Sequence, residues 1–241
     1  MKNISNLGLK KIIVSFLFLT LFLLKSYTQK TEIRANANAG LFAFRGTGAN
    51  SNATYIIDAY ANPNSSLDNS YSNIFTSSHT FEVQFQRVVK NNNIIGIGFA
   101  IEKLKNKINV DSLIIRNNYI RGQSANGSVK FNNTFYTVNP YLGNRYTFKS
   151  IAFDVLAGLD VAFAAETTKK EIIKTSTQEF RTSTLEFKKN VDFRIRLQLD
   201  TQIKNVGLVL AYSRGLFNFS NETYKNVYSD LFRFGLSFKL K

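Results

Sequence analysis

The sequence contains no cysteine and no tryptophan, and only one histidine and two prolines among its 241 residues. The absence of cysteine excludes disulfides, a lipid anchor on cysteine, and any thiolate metal site or nucleophile. The single histidine, His79, is also too few for the usual histidine-based metal centres. Because no glycine-rich phosphate loop follows a strand and opens a helix, we expect neither a metal nor a bound cofactor.

Long hydrophobic runs are equally scarce, and the clearest is the 13-residue stretch from Ile12 to Leu24. It follows a lysine pair and precedes the tripeptide SYT, an order that is typical of a signal peptide. It is too short for a transmembrane helix, which needs about 20 apolar residues. We therefore predict a signal peptide over residues 1–28 and a mature domain over 29–241. An uncleaved amphipathic anchor is the alternative.

Basic residues outnumber acidic ones by 31 to 16, which gives a formal net charge of +15. Loss of the four lysines in the predicted signal peptide would leave +11. Such an excess often indicates nucleic-acid binding. In an exported protein we expect no nucleic acid, and anionic surface polysaccharide or lipid head groups instead. A solvated basic loop surface is the alternative interpretation.

The stretch VDFRIRLQLDTQ, residues 191–202, alternates apolar and polar side chains, which places one set on each face of a β-strand. Most of the alternating stretches span ten to fourteen residues. Ordinary strands average about 5–6 residues, whereas a tilted membrane-spanning strand needs about 9–11. The sequence therefore predicts an all-β chain. The seven other stretches are 31–44, 79–86, 94–102, 135–148, 151–163, 206–215 and 231–241.

Short and long connections alternate between these eight stretches. This layout is typical of an antiparallel up-and-down barrel with short periplasmic turns and long extracellular loops. An even number of strands also brings both termini to the periplasmic side. The short connections lie near 90–93, 148–150 and 203–205, and the long ones near 46–78, 105–129, 165–188 and 218–228. Segment 165–188 mixes charges of both signs and is a candidate for a hairpin that extends above the membrane.

Two barrels fit eight alternating strands. A soluble lipocalin-like barrel turns its apolar faces inward, whereas a membrane barrel turns them toward lipid. Glycine recurs on the charged face, for example at Gly96, Gly98 and Gly143, where a crowded interior needs small residues and a solvent-exposed face does not. The other face is bulky and apolar, and aromatic residues lie near strand ends as in interfacial girdles. These features predict a transmembrane barrel. Pro140, on the lipid-facing side, predicts a bulge or kink.

The charged faces then point into the barrel, where an unpaired ion costs on the order of several kcal/mol. Six acidic and five basic residues are close to balance. We predict that arginine–carboxylate pairs plug the lumen; scattered, water-bridged polar residues are the alternative. The predicted network contains Arg34, Glu82, Glu102, Arg145, Asp154, Asp160, Asp192, Arg194, Arg196, Asp200 and Arg233.

Four segments carry a resemblance to known proteins: SYTQ, FEVQFQRVVKNNNIIGIGFAIE, TVNPYLGNRYTF and the terminal FRFGLSFKLK. In this order they resemble eight-stranded outer-membrane barrels of the OmpA/OmpX-like class, and more closely the PorT-like families of Bacteroidetes. The resemblance implies the outer membrane of a Gram-negative bacterium, with lipopolysaccharide among the surrounding lipids. It also implies that the last strand is read by the barrel-assembly machinery, although Lys241 replaces the usual terminal aromatic residue.

The resemblance fixes no activity, so function has to be sought in the residues. Some small outer-membrane barrels are lipid-modifying enzymes, and His79 lies beside Ser77 and Ser78. We predict no catalytic residues, because one rim histidine is more commonly interfacial. The polar loops predict surface binding or a role in envelope structure. The alternatives are an accessory barrel of a secretion or assembly system, a lipid-modifying enzyme and a soluble periplasmic lipid carrier.

Overall fold

The computed structural model describes residues 30–58, 64–116, 120–176, 179–186, 191–220 and 226–241. The predicted signal peptide, residues 1–28, and Gln29 lie outside the described residues. In the part of the chain that the structure describes, no helix has both the length and the apolar character needed to cross a membrane.

Strands make up most of the described chain, both in the alternating stretches and beyond them. A single 3-10 turn, Lys90–Asn92, separates the fourth strand from the fifth. The strands are β1 (Lys30–Arg45), β2 (Asn52–Asp58), β3 (Asn64–Leu67), β4 (Thr76–Val88), β5 (Asn93–Arg116), β6 (Ile120–Phe148), β7 (Ile151–Lys174), β8 (Glu179–Glu186), β9 (Val191–Ile203), β10 (Val206–Gly215) and β11 (Tyr228–Lys239).

Eight of these strands form a closed ring. The order around it is β1, β4, β5, β6, β7, β9, β10 and β11, and every neighbouring pair is antiparallel. The ring closes where β1 pairs with β11, from Arg34 opposite Lys239 to Arg45 opposite Tyr228. The predicted eight-stranded up-and-down barrel is therefore confirmed.

Burial settles which face of the strands is inside. On β9, Ile195 and Leu197 are 51% and 57% exposed, whereas Arg194 and Arg196 are at most 2% exposed. An aqueous protein would not leave a continuous band of large apolar side chains outside, so this band is the lipid-facing surface of a transmembrane barrel. This apolar belt consists of Leu41, Phe81, Phe85, Ile95, Phe99, Ile101, Tyr136, Leu142, Tyr146, Val155, Phe163, Ile195, Leu197, Leu199, Leu208, Leu210, Phe232, Phe234, Leu236 and Phe238.

One end of the barrel, which we call the short-turn end, carries only tight connections between β4 and β5, β6 and β7, and β9 and β10. Lys149 and Lys204 adopt positive φ angles of 53° and 55°, the left-handed backbone that tight hairpins require. The opposite end, the long-loop end, carries the remaining connections.

Of the bulge or kink predicted at Pro140, the bulge is wrong. Pro140 stays in register opposite Ile97, and the β6–β7 register is the same on both sides of it. Proline cannot donate a ladder hydrogen bond, and the pairing with β7 is interrupted at Asn139 and Pro140 but resumes at Tyr141 without a shift. The shift instead lies between Thr134 and Phe135.

At the long-loop end, β5, β6 and β7 continue past their barrel neighbours into a second sheet, which we call the extension. Its strand order is β3-β2-β5-β6-β7-β8, with β2 parallel to β5. Much of segments 105–129 and 165–188, which the sequence predicted as loops, is therefore strand. The inner face of the extension packs an apolar core formed by Ala53, Tyr55, Ile108, Val110, Leu113, Ala125, Val129, Phe131 and Ile173.

Candidate functional site

The lumen of the barrel holds all eleven residues that the sequence assigned to the interior. Ten of them are buried, and Arg145, near the short-turn end, keeps 12% of its side chain exposed. They separate into two groups, which we call the lumen chain and the short-turn cluster.

The lumen chain alternates acids and arginines without interruption. Arg196 donates to both carboxylate oxygens of Glu82 at 2.8 and 2.9 Å and reaches Asp160 at 3.5 Å. Bidentate contacts of this kind are the strongest ion pairs that arginine forms. In order, the chain is Glu82, Arg196, Asp160, Arg233, Glu102, Arg194 and Asp192.

Arg233 and Arg194 complete the lumen chain. Arg233 contacts Asp160 at 3.0 Å and Glu102 at 2.5 Å. Arg194 contacts Glu102 at 2.7 Å and Asp192 at 2.7 Å. Every internal member therefore touches an opposite charge on each side, which is what a low-dielectric interior requires.

The short-turn cluster is more compact. Arg34 contacts three carboxylates: Glu32 at 3.0 Å, Asp154 at 2.8 Å and Asp200 at 3.4 Å. Arg145 forms two hydrogen bonds to Glu32 and two to Asp154, all between 2.7 and 2.9 Å. One guanidinium thus bridges two carboxylates from opposite walls of the barrel.

Two members of the short-turn cluster were missed in the sequence. Glu32 is fully buried, and Lys239 places its Nζ 2.6 Å from a Glu32 oxygen. The sequence could have predicted the inward position of Glu32, because it shares the parity of Arg34 and Asn36 in TEIRANANAG. With these two, the lumen holds seven acids and six cations, which is still close to neutral.

Apolar layers lie on both sides of the lumen chain. At the long-loop end, the Phe44 ring packs against Tyr71 at 5.1 Å and Phe219 at 5.5 Å, so residues from two long loops fold over the lumen. Phe42, Leu104, Phe135 and Leu231 complete this layer. Toward the short-turn end, Ile94, Tyr141 and Leu156 form a smaller one. The lumen chain is therefore enclosed and has little water to screen it. The short-turn cluster lies beyond the smaller layer, nearer the short-turn end, since Asp154 precedes Leu156 on β7 and Arg145 follows Tyr141 on β6.

Two glycines make room for the lumen side chains. A Cβ on Gly96 would lie 2.4 Å from the Tyr141 ring, and one on Gly98 would lie 2.4 Å from a Glu82 carboxylate oxygen. Both positions therefore need glycine because of close approach. At Gly98 the space is used directly by the carboxylate that pairs with Arg196.

His79 points to the outside of the barrel, as its parity with Phe81 predicted. Ser78 is buried on the inner face, and the residue opposite His79 on β5 is Lys103. A histidine base needs an acid or amide partner to orient it, and this cation cannot supply one. Among the described residues, no group of three or more histidine and carboxylate side chains is arranged to hold a metal.

We expect His79→Ala to leave the pattern of lipid A species in the host membrane unchanged, because the residues opposite it on the neighbouring strands, Ala39 on β1 and Lys103 on β5, provide no acid or amide to orient the imidazole. Mass spectrometry of lipid A from cells expressing each form checks this, with the parent strain as baseline. A modified lipid A species present with the wild-type protein and lost with the variant would contradict it.

The extension has its own polar anchor, Glu171, beside its apolar core. Its carboxylate accepts hydrogen bonds from the Tyr55 hydroxyl at 2.8 Å and from Thr182, and Lys169 lies 2.5 Å away. Burial acts to raise the pKa of Glu171, but these three donors outweigh it and hold the pKa below its ordinary value. Strands β2, β7 and β8 are tied together at this point.

The closed ring, the apolar belt and the ion-paired lumen define an eight-stranded transmembrane β-barrel. No family model matches the chain, and no curated protein matches it in sequence. The PorT-like affiliation therefore stays a prediction.

Solved structures of two bacterial surface proteins are similar to the chain. Ail, the attachment invasion locus protein of Yersinia pestis, in complex with the heparin analogue sucrose octasulfate, is 10% identical, with 87% of this chain and 99% of that chain covered and a TM-score of 0.37. A second Ail structure is 12% identical, with 88% of this chain and 98% of that chain covered and a TM-score of 0.35. Neisserial surface protein A is 10% identical, with 88% of this chain and 99% of that chain covered and a TM-score of 0.40. TM-scores this low do not support an argument about the fold. The fold assignment rests on the strand pairing and burial of this chain.

Proposed function

We propose that this protein is a non-enzymatic outer-membrane barrel of a Gram-negative bacterium that does not conduct ions and acts through its long-loop end. The observation that carries the proposal is the closed lumen, in which the paired charges of the lumen chain lie between two apolar layers. A barrel closed in this way offers the cell a surface rather than a passage. Surface binding or envelope structure is the role that remains.

The orientation follows from the connections. Short turns face the periplasm and long loops face the outside in barrels of this class. Both termini are then periplasmic, where β11, Tyr228–Lys239, meets the barrel-assembly machinery. The extension stands at the cell surface, with lipopolysaccharide around the barrel and surface polysaccharide within reach.

The extension supports a binding role because it is a folded platform rather than a mobile loop. It has an apolar core and the Glu171 anchor, so its strands are held in place without a partner. Preordered surfaces lose less entropy on binding than flexible loops do.

A second candidate function is an accessory barrel of a secretion or assembly system, as the PorT-like resemblance implies. The edges of the extension favour it: among the described strands, β3 pairs only with β2 and β8 only with β7. Free strand edges are common docking sites for a strand of another protein. Co-purification with secretion components would favour this candidate, whereas loss of surface binding on trimming the extension would favour the first.

The conductance of the purified protein tests the closed lumen. In planar bilayers we expect no large, steady ion current, because entry would require breaking the lumen chain and crossing the apolar layer of Phe44 and Phe219. A mobility shift on boiling, seen on a gel, shows that the inserted protein is folded, and a general porin in the same bilayer serves as positive control. Large steady currents from folded protein would contradict the proposal.

A further inference from the structure

Three lysines lie in one row across the outer wall at the long-loop end. Lys107 on β5 is directly opposite Lys130 on β6, which is directly opposite Lys170 on β7. All three alternate with inward residues of the extension core, such as Ile108 and Val129, so they point outward. Like charges at directly opposite positions repel each other and destabilise a sheet.

Acidic partners are provided elsewhere in the extension but not here. Lys169 pairs with Glu171, and Lys174 and Arg181 pair with Glu179. Within the described ranges, no ion pair involves any of the three lysines in the row. Their repulsion is therefore uncompensated in the protein alone.

Two more lysines, Lys103 and Lys105, lie lower on the same outward face of β5 and form no ion pair among the described residues. We call Lys103, Lys105, Lys107, Lys130 and Lys170 together the lysine patch. Directly below it is the last row of the apolar belt, where Ile101 lies opposite Tyr136 and Tyr136 opposite Phe163. The patch thus begins where the lipid-facing surface ends.

The height of the patch indicates the kind of anion that fits. Lys103, Lys105 and Lys107 follow Ile101 by two, four and six residues. With a strand tilt of about 40°, these positions lie about 5, 10 and 15 Å above the Ile101 level. The head-group layer of an ordinary bilayer is only about 5–8 Å thick on each side. A ligand that reaches the whole patch must carry negative charge both at the hydrocarbon boundary and well above it.

We propose that the lysine patch binds the phosphate groups of the glycolipid that surrounds the barrel in the outer leaflet. A sugar head group phosphorylated at more than one height matches the vertical spread of the five ammonium groups. Lysine suits this task because its flexible stem lets the charge follow a fluid lipid. The inference rests on the proposed orientation, which places the long-loop end outside.

The test uses the full-length folded protein in detergent micelles. The probe is a purified lipopolysaccharide with phosphates on lipid A and on the inner core, and the dephosphorylated glycolipid is its comparison. Native mass spectrometry gives the dissociation constants. We expect the triple variant K107Q/K130Q/K170Q to bind the phosphorylated probe about a hundredfold more weakly than the wild type. We expect dephosphorylation to weaken wild-type binding by a similar factor.

A matched control removes the same charge at the other end of the barrel. K90Q/K149Q/K204Q changes three exposed lysines in the short turns and should bind as the wild type does. Equal loss in both triple variants, no loss in K107Q/K130Q/K170Q, or equal binding of the dephosphorylated probe would overturn the inference. Preferential binding of soluble dextran sulfate over the glycolipid would overturn its assignment to lipid.

Loss of binding in the triple variant would not reflect unfolding, because removing mutually repelling lysines should not destabilise the barrel. The mobility shift on boiling verifies that each variant is folded. The binding measurement also needs no membrane orientation or closed lumen. If the protein does not bind the glycolipid but also does not conduct ions, only this inference is rejected. If it conducts ions but binds the glycolipid as expected, only the proposed function is rejected.

Discussion

Replacing Arg196 with methionine is expected to lower the free energy of unfolding by about 3–5 kcal/mol. Arg196 is 2% exposed and donates to both oxygens of Glu82, so the variant leaves a buried carboxylate without its counter-ion. Methionine keeps much of the side-chain length and removes only the charge and the donors. Urea unfolding of the folded protein in detergent, followed by tyrosine fluorescence, measures the change.

Two comparisons make this prediction specific to a missing charge. The double variant E82Q/R196M removes both partners and should recover most of the lost stability, because no uncompensated ion remains between them. Arg181→Met breaks an exposed pair with Glu179 and should cost less than about 1 kcal/mol. If R196M costs no more than R181M, the lumen chain does not stabilise the barrel.

Replacing Gly98 with valine is expected to lower the free energy of unfolding by about 3 kcal/mol or more. The new Cβ would lie 2.4 Å from a Glu82 carboxylate oxygen, so the carboxylate has to leave its place beside Arg196. The variant therefore combines overpacking with a broken ion pair. The same urea titration measures it, and the mobility shift on boiling reports whether the barrel forms at all.

Gly122 on β6 provides the matched control, because a Cβ built there meets no atom within 4 Å. Valine favours strands, so Gly122→Val should be neutral or slightly stabilising. A similar loss of stability in both variants would show that Gly98 acts through the backbone and not through room for Glu82.

The inside and outside of the barrel were predictable because the period of a strand is fixed at two residues. In VDFRIRLQLDTQ, parity alone put Arg194 and Arg196 on one face. Glycines on the equivalent face of other strands, such as Gly96 and Gly98, indicated that this face lines a crowded interior. Which arginine meets which carboxylate was not predictable. Asp192 and Glu102 share Arg194 only because of the stagger between strands, which no local pattern encodes.

The rest of the extension, beyond the hairpin expected in 165–188, was missed for a different reason. Its inner positions include Asn106 and Thr167 among apolar residues, so the alternation weakens where β5 and β7 leave the barrel. The apolar layer over the lumen was equally hidden, since Tyr71 and Phe219 lie in segments without the two-residue alternation that would mark them as inward. Such residues are placed by long-range packing, which a window of local sequence does not contain.

The ion pairs join residues that are far apart in the chain. Arg34 and Asp200 are separated by 166 positions, and Arg233 and Glu102 by 131. If the sheet slipped by two residues at the seam between β1 and β11, every side chain would keep its face, yet Arg34 would move about 7 Å relative to the far wall. Its carboxylates would then be out of reach. The lumen charges thus fix the shear of the barrel, because only one register between β1 and β11 lets all the ion pairs form.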